Sequence, residues 1–188
     1  MEQIQLQEGK LLNEKGNLEQ AGYATSLIKE YDRKAIKAKK SRIKEWDYYY
    51  VGCSDYGIAL TIADNSYMAL FSVSFLDLAN NKSYTRSIMK WFTHGKTGLP
   101  STSKVGNVKV SGNGYFLDFQ NDGNIRTIKC GLSNLNKGLS FECNFTLTEE
   151  NGHSMVIATP FDKNKHFYYN QKINCLKAKG SFNFAGKA

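Results

Sequence analysis

From Leu139 to Thr148 the chain alternates strictly. Leu139, Phe141, Cys143, Phe145 and Leu147 are apolar, and the residues between them are polar. A β-strand turns successive side chains to opposite faces, so as a strand this run buries one clean face. As a helix it would scatter the same residues around its circumference. Three further runs share the period: Tyr67, Ala69, Phe71, Val73 and Phe75; Ile58, Leu60 and Ile62; and Tyr115, Leu117 and Phe119. Asn121-Asp122-Gly123-Asn124 after the last of these is a hairpin signal. Asn151-Gly152 marks another turn, before Met155-Val156-Ile157-Ala158. Many short strands with only two prolines predict an all-β chain, an antiparallel barrel or a β-sandwich. Thr93 to Gly114 is the longest expected loop.

Only residues 23–46 hint at a helix. Leu27, Ile28, Tyr31, Ala35, Ile36, Ile43 and Trp46 fall loosely at helical spacing, with lysines between them. From Ser41 onward the aromatic run through Tyr48, Tyr49, Tyr50 and Val51 reads better as a strand. The expectation is a short helix or irregular arm within residues 1–40, packing on one β domain at 41–188.

A compact chain of 188 residues buries roughly 70% of its unfolded surface, enough to fold without a metal or disulfide. At 41% apolar residues wholesale disorder is excluded. No apolar run approaches the roughly 18 residues of a membrane span, and Met1-Glu2-Gln3-Ile4-Gln5 is too polar for a signal peptide. A cytosolic protein is expected. Cys53, Cys130, Cys143 and Cys175 show no close pairing, and only His94, His153 and His166 stand beside them. Free thiols, no metal site and no cofactor are expected.

The net charge of +8 is concentrated. Residues 29–44 carry eight Lys/Arg against two acids, and residues 163–188 carry six lysines and no acid. Such a balance invites a nucleic-acid reading. The aromatics, however, recur mainly with the strand period of a core, so the basic residues read as a solvated face and no specific nucleic-acid partner is expected.

Two polar–aromatic patches stand out. In Arg42-Ile43-Lys44-Glu45-Trp46-Asp47-Tyr48-Tyr49, strand alternation puts Glu45, Asp47 and Tyr49 on one face and Lys44, Trp46 and Tyr48 on the other. Glu45 and Asp47 then stand about 7 Å apart. In a poorly hydrated cavity their repulsion would leave one protonated near neutral pH, able to donate to an alkene, ether or carbonyl. The plainer reading pairs both with Arg42, Lys44 or Lys172 at a sheet rim. The second patch, His166 to Cys175, aligns His166, Tyr168, Asn170 and Lys172. Glu45 and Asp47 are thus the candidate acids. Arg42, Trp46, Tyr48, Tyr49, His166, Tyr168, Tyr169, Asn170 and Lys172 are the candidate ligand contacts. His94-Gly95-Lys96-Thr97 ends like a phosphate-binding loop, but Lys90 stands where that motif needs glycine. No nucleophile elbow is present.

Three stretches carry a resemblance. They are Gly9-Lys10-Leu11-Leu12 with Gly16, Leu18 and Gly22-Tyr23-Ala24; Tyr31-Asp32-Arg33 with Ile36, running into Arg42 to Tyr50; and His166 to Tyr169 through Lys172 and Cys175 to Gly180. Together they resemble the bacterial domain-of-unknown-function family 2804. The resemblance implies a calycin-type architecture of lipocalin-like β domains in tandem, distantly similar to carotenoid hydratases (hydroxyneurosporene synthases), which add water to isoprenoid double bonds. Family members continue into a Trp- and Gly-rich second half, so the chain is expected to correspond to the first half. The family has no established activity from which to carry over a catalytic residue.

The expected function is binding of an apolar small molecule, a lipid or isoprenoid, in a barrel or inter-sheet pocket lined by aromatics. A hydratase or isomerase using a carboxylate acid is the enzyme alternative, and a non-catalytic structural half-domain the third. The last strand expected, Gly180 to Ala185, would leave an open edge with Phe182 and Phe184 uncovered. Pairing with a second lipocalin-like domain or another copy is therefore expected.

Overall fold

The computed structural model describes residues 4–149 and 152–186. In chain order the strands are β1 (Gly9–Lys10), β2 (Gly22–Ala24), β3 (Lys29–Glu30), β4 (Glu45–Gly52), β5 (Tyr56–Asp64), β6 (Met68–Asp77) and β7 (Lys82–Trp91). There follow β8 (Val108–Gly112), β9 (Tyr115–Asn121), β10 (Ile125–Asn136), β11 (Leu139–Thr148), β12 (Met155–Pro160), β13 (Phe167–Lys172) and β14 (Lys177–Phe184). The protein is all-β.

Two antiparallel sheets dominate. One is the meander β4-β5-β6-β7, and the other has the order β14-β11-β10-β9-β8. Neither closes into a barrel, so the barrel expectation is corrected to separate open sheets. They share one core, because each offers one apolar face. β6 alternates without a break, burying Ala69, Phe71, Val73 and Phe75. Tyr67, expected on that face, lies before the strand and is exposed. Leu139 is likewise exposed at the end of β11, while Phe141, Cys143, Phe145 and Leu147 are buried.

The core is aromatic. Phe75 meets Tyr56, Tyr84, Phe141, Phe182 and Phe184 with ring centroids 5.0–6.5 Å apart. Phe182 and Phe184 thus point inward from β14, and the expectation that they lie uncovered is corrected. β14 remains an edge strand, but its apolar side is already used.

The helix hint is corrected as well. Among the described residues there is no α-helix, only 3-10 turns at Arg33–Ala35 and Lys40–Arg42. The apolar residues of this segment serve different neighbours rather than one helical stripe. Ile28, Tyr31, Ala35 and Ile36 pack on a second, smaller core of Leu6, Leu11, Leu12, Ala24, Val156 and Ala158. That core is covered by a three-stranded sheet, β13-β12-β2, which joins the N-terminal residues to a hairpin over a hundred positions later. Gly22 in β2 is held to glycine by close approach, since a Cβ there would lie 2.1 Å from the carbonyl oxygen of Ile4. The expected loop at Thr93–Gly114 is shortened by β8, which begins at Val108. The hairpin at Asn151-Gly152 falls partly outside the described residues.

Candidate functional site between two sheet edges

β4 is an edge of the four-stranded sheet and β13 an edge of the three-stranded one. Between them lies a cavity of about 480 Å³. One wall is Glu45, Trp46 and Asp47 at the start of β4, and the facing wall runs from His166 to Gln171 along β13. The N-terminal segment contributes Leu27, Tyr31, Ile36 and Arg42, and the loop Leu99–Ser103 closes another side. The two walls touch where Trp46 stacks on Tyr168, centroids 6.1 Å apart at 29°.

The structure therefore brings both sequence patches to one place. Glu45, Asp47, Arg42, Trp46, His166, Tyr168, Tyr169 and Asn170 all line the cavity. Tyr48, Tyr49 and Lys172 do not. Tyr48 points outward from β4 and is exposed. Tyr49 turns into the main core, its ring edge-on to Phe119 at 5.0 Å. Lys172 is exposed at the far end of β13. The cavity also lies between sheet edges, not inside a barrel.

Alternation puts Glu45 and Asp47 on one face as expected, yet their surroundings differ. Glu45 accepts a hydrogen bond from the Tyr31 hydroxyl at 2.5 Å and forms an ion pair with Arg33. Burial, then donation to Glu45, holds the Tyr31 hydroxyl well above the ordinary tyrosine range. Arg33 also donates to Ser66 Oγ at 3.0 Å, and Ser66 Oγ donates to the Ile43 carbonyl at 2.8 Å. The ion-pair partner is thus Arg33, not Arg42, Lys44 or Lys172.

Asp47 has no such clamp. Burial pushes its carboxyl up to about 6, with Arg126 of β10 opposing that rise only in part. Near neutral pH a fraction keeps its proton while facing the cavity. The rise comes from desolvation, not from repulsion by Glu45. Asp47 sits where the inner face of β4 leaves the main core and meets the cavity.

Beneath this wall a third carboxylate organises the backbone. Asp64 is buried and accepts from Ser66 N (2.7 Å), Thr93 Oγ1 (2.9 Å), Gly95 N (3.1 Å), Thr97 N (3.3 Å) and Thr97 Oγ1 (2.6 Å). Desolvation raises its pKa, but these bonds outweigh it and hold the carboxyl below the usual range. The GKT-like loop does cradle an anion; that anion is the protein's own side chain. Gly95 has φ +79°, and a Cβ there would stand 2.4 Å from Arg33 Cζ, so Arg33 reaches Glu45 only by passing over a glycine.

Sequence reasoning missed Tyr31 and Arg33 as the clamp on Glu45, and the loop Leu99–Ser103 as a wall. The first pair lies inside the Tyr31-Asp32-Arg33 stretch already singled out, but nothing local shows where those side chains reach.

A model of the family described as "Domain of unknown function (DUF2804)" matches residues 2–188. The chain belongs to DUF2804. All the residues of this DUF2804 cavity lie within the matched span. No curated protein and no solved structure matches the chain. Among the described residues, no three His, Cys, Asp or Glu side chains cluster as metal ligands. Among the described residues, no helix is long and apolar enough to cross a membrane.

Proposed function

We propose that this DUF2804 protein binds an apolar small molecule, a lipid or isoprenoid, in the cavity between β4 and β13. The observation that carries the reading is the convergence of two aromatic segments some 120 positions apart on one concave site of about 480 Å³. That volume suits a small ligand, for which roughly 300–1,000 Å³ is usual. Leu27, Ile36, Leu99, Trp46 and Tyr168 supply apolar contact, while Asn170 and Gln171 supply polar groups to orient a ligand. Antiparallel sheets with a lateral cavity accord with a divergent, open relative of the calycins. The test is mass spectrometry of organic extracts from purified protein, beside titration with an uncharged apolar dye. A bound lipid, or saturable dye binding lost in Trp46→Ala/Tyr168→Ala, is the expected result. Clean extracts together with no dye binding would refute the reading.

One feature favours a catalytic variant of the same site: Asp47 stands in the cavity wall, where burial pushes its carboxyl up to about 6. In a hydratase, Asp47 would pass its proton to one carbon of an isoprenoid double bond. Water would add to the neighbouring cationic carbon, and the proton it sheds would return to the Asp47 carboxylate. Alcohol formation from an alkene by wild type but not by Asp47→Asn, with dye binding kept, distinguishes enzyme from binder. Absence of turnover in both leaves a binding module.

A further inference from the structure

Sequence alone makes the basic segments solvated faces, and the structure gives part of them another setting. A second hollow of about 680 Å³ opens beside the first. Lys37, Lys39 and Arg42 reach it from the N-terminal segment, and Lys163 and Lys165 from the β12–β13 loop. Among the described residues, Asp162 is the one acid on its wall. The two hollows share Ala38, Arg42, Phe161, Lys165 and His166, so the basic space adjoins the apolar one and can serve as its mouth. The lysines come from sequence regions over 120 positions apart, which local sequence composition does not explain. Crowding five cations around one concavity costs free energy through mutual repulsion, and a concave wall of one sign focuses its field on an incoming counter-charge.

We infer that the ligand is an anionic amphiphile: its carboxylate or phosphate head sits among Lys37, Lys39, Arg42, Lys163 and Lys165, and its apolar body lies in the cavity between β4 and β13. The inference rests on the proposed apolar-ligand reading and narrows it. Asp47 lines the apolar hollow and not the mouth, so a head held in the mouth leaves the body of the chain, not its charged end, beside that carboxyl. A concave mouth also suits a compact head better than the extended backbone of a nucleic acid.

The experiment is calorimetric titration, below micellar concentrations, with laurate, monododecyl phosphate, dodecanol and dodecyltrimethylammonium. The expected result is that at least one anion binds about tenfold or more tighter than dodecanol at low salt, with the cation weakest. The gap should shrink in about 0.5 M NaCl, where screening shortens the reach of the lysines. Two charge-reversed proteins, Lys163→Glu and Lys37→Glu/Lys39→Glu, attack the mouth from opposite sides at exposed positions that do not line the apolar cavity. Each should erase most of the anion preference while dodecanol affinity holds. Laurate against monododecyl phosphate decides which head is preferred. Equal binding of dodecanol and both anions, or a preference that survives both reversals, overturns the headgroup inference and leaves the apolar site standing. If none of the four binds and the apolar dye fails as well, the cavity reading itself falls and takes this inference with it.

Discussion

Two carboxylates separated by one residue on the same strand face have opposite roles, and a paired substitution separates them. Glu45 is tied to Tyr31 and Arg33, and the Arg33 and Glu45 side chains are 26% and 18% exposed. This is neither a surface pair nor a fully buried one. Glu45→Gln is expected to cost about 1–3 kcal/mol, because it leaves Arg33 half-buried without its counter-charge. Asp47 behaves in the other sense. Its folded pKa, about 6, is above the ordinary value of 3.8. Between those values the native state holds a proton that the unfolded chain has released, so stability falls as pH rises through that window. Asp47→Asn removes the cost of ionising a buried group. The variant should match wild type near pH 4 and exceed it by about 1–3 kcal/mol at pH 8. Asp64 contributes with the opposite sign: its lowered pKa gives stability that is lost as pH falls through the folded value. Urea titrations of wild type and the two variants from about pH 2 to 8 check these slopes, with the Asp64 contribution falling below about pH 4. An Asp47→Asn protein no more stable than wild type at pH 8 would show that the carboxyl is better solvated than its position implies.

At the scale of elements, the site depends on how loops hold strand edges. The turn at Gly95 is folded around Asp64 and lies under Arg33, which links the β7–β8 loop to β4 through Glu45. Adding a methyl group at Gly95 both strains a positive φ and displaces a guanidinium that is fixed at its far end by Glu45 and Ser66. Gly95→Ala should therefore destabilise by about 2 kcal/mol or more. It should also weaken dye binding, since the start of β4 carries the cavity wall. Denaturation midpoints with parallel dye titrations read both effects. An alanine variant of unchanged stability would mean that Arg33 moves aside freely. β13 is held differently. Tyr169 OH donates to the Lys29 carbonyl at 3.2 Å, and burial pushes that hydroxyl up to about 12. Gln171 meets both Ser103 and Ser154, fastening the strand to the loop that closes the cavity.

Over the whole molecule, the two-sheet core settles which thiols meet solvent. Cys130 and Cys143 face each other across β10 and β11 inside the main core, and both are buried. Their mutual hydrogen bond, then burial, pushes the Cys130 thiol far up. Cys53 and Cys175 are exposed. An aromatic disulfide reagent should therefore titrate two thiols quickly in native protein and the other two only on unfolding. Fast reaction of all four would show that the sheets part readily. The same core limits association. With Phe182 and Phe184 packed against Phe75, β14 offers a partner only its open backbone edge, on a strand that carries Lys177 and Lys179. Edge lysines discourage strand-to-strand growth, so an apolar drive for pairing through this face is gone.

Alternation is a local property, and it determined the strands. The period-two runs at 58–62, 69–75, 117–119 and 141–147 became buried strand faces, and the placement of Glu45 and Asp47 on one face followed from the same rule. Each strand must hide its apolar side whatever it pairs with, so that much is written residue by residue. Even the two patches that form the cavity stood out, because dense polar–aromatic runs are rare on a strand that simply faces solvent. Their meeting was decided elsewhere. Trp46 finds Tyr168 only because β4 and β13 are edge strands of different sheets brought side by side by the N-terminal segment and the loop Leu99–Ser103. The choice of Arg33 as partner of Glu45, over Arg42, Lys44 and Lys172, has the same origin. Charge alone makes the four equivalent, and only the path over Gly95 lets one of them reach. The absence of a helix at 23–46 was a tertiary decision too, since residues at loosely helical spacing gained more by covering a second core than by bonding to one another. Side-chain pairing across chain-distant elements depends on backbone geometry that no window of sequence contains, and that is where this site was made.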